Sequence, residues 1–227
     1  MRWQKALLVV GLVSIGLSSQ VSHAATKVHA IGFGKPMLVQ WLPGTGAENE
    51  KAIPIKVRPL LVDGRVKEFV LGPVHEITDR LFVVRRVFRV NDSLPEDANI
   101  HWQWERGGWL LVDRATGRIS AVNLPGFDPF YSAASWYRDY VAYCGLADDG
   151  KKIDAIVVQI GRRRPVLKKQ ISSVAQREDA APDSACSLPV WQRNPTRISF
   201  EAAGTDKQTF AIHGQVIDVV NDADDEE

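Results

Sequence analysis

The sequence predicts an all-β protein built from antiparallel hairpins. Runs of β-branched, aromatic and aliphatic residues are separated by turn signals such as Asp63-Gly64 and Asp149-Gly150, and Asp-Gly between such runs strongly indicates a hairpin. After residue 24, no window keeps apolar residues at the i, i+3, i+4 and i+7 spacing of an amphipathic helix over three turns. Seven tryptophans against two methionines also favour a rigid aromatic core.

The first 24 residues have the pattern of a cleaved signal peptide. Arg2 and Lys5 precede an apolar run over residues 6–17, which is short for a membrane span. Ser22-His23-Ala24 then places small residues before a cleavage point after Ala24. An uncleaved N-terminal anchor is the alternative. Cleavage would leave a mature chain without a membrane span, exported to the periplasm or the extracellular space.

Composition predicts one domain followed by a short acidic tail. The chain has 227 residues, enough for one or two domains, and we expect a single all-β domain over residues 25–220. Residues 221–227 are mostly acidic, which is typical of a disordered tail. The formal net charge of +1 gives no general attraction for nucleic acid, and export would separate the protein from it.

The N-terminal half predicts paired strands in chain order. The predicted strands are residues 28–33, 37–42, 53–62, 66–71, 81–90, 101–104, 109–113 and 118–122. We expect a polar loop over residues 43–51 and a turn at Gly107-Gly108. Residues 113–117, Asp-Arg-Ala-Thr-Gly, suit a short loop whose glycine takes the left-handed conformation.

The C-terminal half predicts two meanders of four short strands. The first occupies residues 130–171, with turns at Asp149-Gly150 and between Gly161 and Pro165. The second contains strands at residues 190–191, 197–200, 209–212 and 216–220. Between the two meanders, the polar residues 172–188 are expected to form a long loop.

Two motifs in this half resemble a known repeat. β-Propeller blades of the Tol translocation protein and prolyl oligopeptidase type carry the signature Trp-Ser-Pro-Asp-Gly-x-x-Ile-Ala-Phe. A similar motif is Trp191-Gln-Arg-Asn-Pro-Thr-Arg-Ile-Ser-Phe200, and a shortened version resembling it is Trp136-Tyr-Arg-Asp-Tyr-Val-Ala-Tyr143. The resemblance covers mainly the C-terminal half. It implies a propeller-like fold with about four blades and a platform for interactions. A β-sandwich or a barrel is the alternative architecture.

The two cysteines predict one disulfide in an exported protein. Cys144 and Cys186 would tie the first meander to the loop before the second. Two buried free thiols are the alternative. No Cys-x-x-Cys or His-x-His spacing occurs, so we expect no metal site and no cofactor.

Motifs of familiar enzymes are absent from the sequence. It lacks the Gly-x-Ser-x-Gly motif of esterases and the glycine fingerprints of nucleotide-binding folds. The histidines His29, His75, His101 and His213 have no partner at metal-ligand spacing. A hydrolase of envelope glycans or peptides would have to use scattered carboxylates. The candidates are Glu76, Asp79, Glu105, Asp113, Asp128, Asp139 and Asp154.

Basic and aromatic residues suggest a binding function instead. Arginines 162–164 occupy one predicted turn and Arg85, Arg86 and Arg89 one predicted strand. Aromatic residues that could contact a ligand are Phe130, Tyr131, Trp136 and Tyr137. Solvated charge at a hairpin tip and core packing are the alternatives for these two groups. The sequence therefore favours a non-catalytic binding or scaffold module with an envelope protein or glycan as partner, and a hydrolase is the alternative.

Overall fold

The protein is an all-β structure, as its sequence predicts. The computed structural model describes residues 28–42, 52–129, 132–147, 150–173, 186–202 and 204–213, together with the backbone of strand Val216–Val220. Within these residues the chain forms fifteen strands and no helix. The predicted signal peptide, the polar loop 43–51 and the acidic tail lie outside the described residues.

Sheet A contains seven strands from the N-terminal half. They are β1 (Ile31–Phe33), β2 (Met37–Trp41), β3 (Ile53–Val62), β4 (Arg65–Glu76), β5 (Leu81–Asn91), β6 (Trp102–Asp113) and β7 (Ile119–Ala121). All pairs are antiparallel except β2 and β6, which share one parallel bridge between Trp41 and Trp104. Sheet A is not a barrel, and a single bridge is too short a ladder to close one. The four-bladed arrangement stays a prediction, since these seven strands belong to one sheet.

Two predicted turns in sheet A form from the residues that suit them. Asp63 and Gly64 join β3 to β4 with φ values of 52° and 74°, as a two-residue hairpin loop requires. Gly117 follows β6 with a φ of 66°, and its N–H donates to the carbonyl oxygen of Asp113 at 2.9 Å. Both hairpin predictions are confirmed.

The predicted turn at Gly107-Gly108 is wrong, because β6 runs through both glycines without a break. A Cβ atom on Gly107 would lie 3.2 Å from Cβ of Arg86 and 3.3 Å from the ring of Phe88. The glycine therefore permits a close approach of β5 to β6. Beside this contact, the β5–β6 register shifts between Arg85 and Val87, which marks a β-bulge.

Sheets B and C are the two meanders predicted for the C-terminal half. Sheet B contains β8 (Ala134–Tyr137), β9 (Tyr140–Leu146), β10 (Lys152–Gln159) and β11 (Leu167–Ser173). Sheet C contains β12 (Val190–Gln192), β13 (Arg197–Phe200), β14 (Gln208–His213) and β15 (Val216–Val220). In each sheet the strands lie in sequence order and pair antiparallel.

The central strands of sheet B are covered on both faces. One face of its central strands, including Ala142 and Val157, packs against Ile198 and Phe210 of sheet C. The other face, including Tyr143, packs against residues of the connector 122–133 and of β8. Because consecutive residues of a strand point to opposite faces, β9 and β10 are buried along most of their length.

A disulfide joins sheet B to the segment that enters sheet C. Cys144 lies on β9, and its Cα atom is 6.3 Å from that of Cys186. Cys186 forms an isolated antiparallel bridge with Ala202, just beyond β13. The predicted cysteine pair is therefore present. Residues 174–185 of the predicted loop lie outside the described residues.

Candidate functional site

The hairpin between β8 and β9 exposes one arginine. It turns through Arg138 and Asp139, between the paired residues Tyr137 and Tyr140. Arg138 has a φ of 53°, and positive φ is favoured in two-residue hairpin loops because it matches the twist of the strands. Its guanidinium carbon lies 5.8 Å from the centre of the Tyr137 ring.

The connection between β10 and β11 exposes the three arginines predicted as ligand contacts. The chain leaves β10 after Gln159 and reverses at Gly161, whose φ is 85°. The N–H of Arg162 donates to the carbonyl oxygen of Gln159 at 3.1 Å. Arg162, Arg163 and Arg164 follow one another on the outside of this turn, and all three are exposed.

Asp139 holds the two turns together. Its carbonyl oxygen accepts from the N–H of Ile160 at 2.8 Å, and its carboxylate accepts from the side-chain amide of Gln159, also at 2.8 Å. Arg138 and arginines 162–164 therefore lie at the same end of sheet B. We call these four residues the arginine end.

Within the part of the chain that the structure describes, no ion pair neutralises the positive charge of the arginine end. The nearest acid in sequence, Asp139, accepts a hydrogen bond from the neutral amide of Gln159 and forms no ion pair with the four arginines. Four like charges on joined turns repel one another, so an anion bound there would be stabilised and would relieve the repulsion.

The predicted aromatic contacts lie mainly between sheets. The Trp136 ring packs against Trp109 of β6, with ring centres 5.2 Å apart, and stacks on His75 at 5.7 Å. His75 also forms a hydrogen bond of 2.7 Å with the carbonyl oxygen of Arg138. These contacts join sheet A to the arginine end of sheet B.

The neighbouring ring faces sheet C. Tyr137 lies 5.4 Å from Trp191, and the indole N–H of Trp191 donates to the carbonyl oxygen of Ser135 at 3.1 Å. Trp136 and Tyr137 thus contact the two sheets that flank sheet B, and both rings are half-buried. Phe130 and Tyr131, the other two predicted contacts, lie outside the described residues.

Several of the predicted carboxylates are bound to cations or amides. Arg80 donates to Asp113, with its Nε 2.7 Å from Oδ1, and Arg114 donates to Glu76. These bonds are the largest cause of the lowered pKa values of both carboxyl groups, while burial acts in the opposite direction. Lys168 lies 3.5 Å from the buried carboxylate of Asp154. The carboxyl groups of Glu76 and Asp113, held ionised by their arginines, are poor general acids.

Glu76 and Asp79 do share an open depression of about 440 Å³, which Ile77, Thr78 and Arg114 complete. Its Glu76 carboxylate already binds the Arg114 guanidinium through both oxygens. The depression therefore holds an ion pair where a hydrolase would need a carboxylic acid that can give up a proton.

The second predicted basic group does not form one surface. Arg85 is only 5% exposed and donates to the carbonyl oxygens of Gly107, Pro129 and Ser132. Arg86 binds Glu68 at 2.9 Å. Arg89 lies over the rings of Trp102 and Trp104. Desolvation, followed by repulsion from Arg106, lowers the pKa of Arg85 to about 10, so it remains charged at neutral pH.

Sequence reasoning missed Arg138 and treated Asp139 only as a candidate catalytic carboxylate, not as a residue that joins two turns. The signal was present in Tyr137-Arg-Asp-Tyr140, where two polar residues between aromatic strand formers suit a tight hairpin loop. Their contact with the next turn depends on the pairing of Tyr140 with Gln159 across β9 and β10, and sequence spacing alone does not give that register.

No cluster of three metal-binding side chains occurs among the residues that the structure describes. Over the same residues, no helix has the length and apolar character to cross a membrane. Comparison of the chain with protein-family models, curated proteins and solved structures produced no match.

Proposed function

We propose that this protein is an exported, non-catalytic binding module of the cell envelope that holds an anionic partner at its arginine end. The observation that carries this proposal is the joined pair of turns with four exposed arginines and no acidic partner in the described chain. A guanidinium presents five N–H donors in a planar fork, which suits carboxylate and phosphate oxygens. An envelope glycan or protein with such groups is the partner, and no cofactor is required.

The sheets behind the arginine end support a scaffold role. Sheets B and C each have four antiparallel strands in sequence order, the strand arrangement of a propeller blade. We propose a blade-like C-terminal half in which aromatic contacts hold the binding turns in place. Trp136 and Tyr137 then position the turn of Arg138 and need not touch the ligand.

Export is supported by two independent features. The N-terminal segment has the charge and apolar pattern of a signal peptide. Cys144 and Cys186 form a disulfide, and disulfides persist mainly in oxidising compartments. N-terminal sequencing of the protein recovered from its native compartment tests this part, and we expect the mature chain to begin at Ala25. An intact N-terminus on the recovered protein would contradict cleavage.

The ion pairs of the described carboxylates favour binding over hydrolysis. A glycan hydrolase of the usual kind needs one carboxyl group with a raised pKa as the general acid. The pKa of Glu76 is instead lowered by Arg114, and that of Asp113 is lowered by Arg80.

Binding to immobilised anionic polymers tests the proposal. The full chain, expressed with its own N-terminal segment, is compared with R162A/R163A/R164A on long-chain polyphosphate, polyglutamate and polygalacturonate. We expect binding to at least one polymer and a loss of about tenfold in the variant, because each exposed ionic contact contributes roughly 0.5 kcal/mol.

The matched control is K56A/R65A/K67A, which removes three exposed positive charges from sheet A. It should change the affinity by less than about twofold if the charge must lie at the arginine end. Equal losses in both triple variants, or no binding of the unaltered protein to any of the three polymers, would overturn the proposal.

A further inference from the structure

A fifth exposed arginine, Arg193, lies in a turn of sheet C. The β12–β13 hairpin turns through residues 193–196, between the paired residues Gln192 and Arg197. Arg193 opens this turn and is exposed. Its carbonyl oxygen accepts from the Thr196 hydroxyl at 3.3 Å, while its side chain forms no ion pair with the part of the chain that the structure describes.

Two attachments show which end of sheet B this turn reaches. Cys186 is bonded to Cys144. Cys144 lies four residues after Tyr140, the first residue of β9, and is therefore distant from the Arg138 turn. Five residues later, Trp191 packs beside Tyr137 and Tyr140, with ring centres 5.4 and 6.4 Å away. The segment therefore runs towards the Arg138 turn, and Arg193 continues in that direction.

The five arginines are distributed over three turns and two sheets. Each of the five guanidinium groups presents five N–H donors, and together these outnumber the bonds that the oxygens of a single phosphate group can accept. A chain that repeats its negative charge can bind the guanidinium groups one after another, and it releases more counterions in doing so. Phosphate suits adjacent arginines because its oxygens point in several directions and can accept from two guanidinium groups.

We propose that the ligand of the arginine end is an extended phosphate-bearing polymer, which crosses from arginines 162–164 over Arg138 to Arg193 on sheet C. This inference rests on the proposed function and adds the chemistry and the path of the ligand. The Asp139 carboxylate, next to Arg138 in sequence, accepts a hydrogen bond from Gln159 and forms no ion pair with the five arginines in the described part of the chain.

The test measures affinity for long-chain polyphosphate, tripolyphosphate and polyglutamate by calorimetric titration of the full chain. The variant R138N/R193A, called the flanking variant here, removes the two arginines that lie beyond the 162–164 turn on this path. Asparagine is chosen because it tolerates the positive φ of residue 138. We expect the flanking variant to lose about fivefold in affinity for long-chain polyphosphate, at roughly 0.5 kcal/mol for each of the two contacts. Its affinity for tripolyphosphate, whose three phosphate groups can be bound by arginines 162–164 alone, should change by less than about twofold.

The control variant R65A/K67A removes two exposed positive charges elsewhere and should match the unaltered protein with both ligands. If R162A/R163A/R164A loses binding while R138N/R193A does not, the proposed function stands and the extended path is overturned. Polyglutamate binding as tight as polyphosphate binding would overturn the phosphate class. If neither R162A/R163A/R164A nor R138N/R193A changes binding, the extended path and the proposed function are both overturned. Far-ultraviolet circular dichroism confirms that each variant is folded.

Discussion

Arg114 donates to both carboxylate oxygens of Glu76, and each of the two distances is 2.8 Å. The bonds join the end of β4 to the turn after β6. They are the largest cause of the lowered pKa of Glu76, and burial opposes them. Because the folded-state pKa lies below the unfolded value, the pair stabilises the fold above the unfolded pKa of about 4.3.

The substitution E76Q should therefore cost stability in a pH-dependent way. The Glu76 side chain is 57% exposed, so we expect a loss of at most about 1 kcal/mol near pH 7. The difference should shrink as the pH falls through the folded-state pKa, where the native carboxylate itself becomes protonated. Urea denaturation at about pH 7 and about pH 3 measures both values. E96Q, at an exposed acid without an ion pair in the described chain, is the control, and an E76Q loss that is the same at both pH values would contradict the assignment.

Arg85 should be the most sensitive arginine for stability. Arg85→Met keeps much of the volume but leaves the carbonyl oxygens of Gly107, Pro129 and Ser132 without their donor. We expect a loss of about 3 kcal/mol, since each buried unsatisfied group costs about 1–3 kcal/mol. Thermal unfolding measures the loss, and limited proteolysis should cut the connector 122–133 sooner. Arg163→Met, at an exposed arginine, is the control, and equal effects of the two substitutions would refute the buried role.

Trp191 should couple sheet C to sheet B. Trp191→Phe removes the hydrogen bond to Ser135 and keeps an aromatic ring, so we expect a loss of about 1 kcal/mol. Trp191→Ala also removes the contacts with Tyr137 and Tyr140 and should cost about 3 kcal/mol. Chemical denaturation gives both numbers. Trp102→Ala, at a ring that is 54% exposed, should cost about 0.5 kcal/mol, and a larger loss there than at Trp191 would count against this coupling.

Removing the disulfide should lower stability without changing the fold. Cys144 and Cys186 are 42 residues apart in sequence, and closing such a loop contributes about 4 kcal/mol on the chain-entropy model. We expect the free energy of unfolding of C144A/C186A to be lower by this amount, with a correspondingly lower denaturation midpoint. Peptide mapping under non-reducing conditions should recover the two cysteines in one linked pair. Two alkylatable thiols in protein from its native compartment would disprove the bond.

The C-terminal sheets were predictable because their signals are local. Turn residues such as Gly150 and Gly161, with φ values of 65° and 85°, interrupt runs of strand-forming residues. Each strand then pairs with the next one in sequence. Where every connection is a hairpin, the order of the strands follows from the turns alone.

Sheet A was less predictable because its geometry depends on long-range pairing. The shift of register between Arg85 and Val87 accompanies the burial of Arg85 among carbonyl groups, although an isolated arginine in a strand is usually exposed. Gly107 was mistaken for a turn residue for the same reason. Its role becomes visible only when β5 lies beside it.

The candidate site was predictable in part. Three consecutive arginines before a proline indicate an exposed turn, and arginines 162–164 are indeed exposed. Their association with Arg138 requires the contact between Asp139 and Gln159, which follows from the pairing of β9 with β10. The aromatic residues were harder to interpret, because composition does not distinguish a ring that packs between sheets from one that faces a ligand.

The segment from Cys186 to Trp191 is attached to sheet B at two separate points, one covalent and one aromatic. A single attachment would act as a pivot, whereas two attachments along one segment remove the rotation about it. Tension applied to sheet C by a bound polymer would therefore be transmitted into sheet B as a shear load shared between the sulfur–sulfur bond and the indole contact. Sheets B and C should therefore unfold together under force. After reduction of the disulfide, the weaker indole contact of Trp191 should be the attachment that remains.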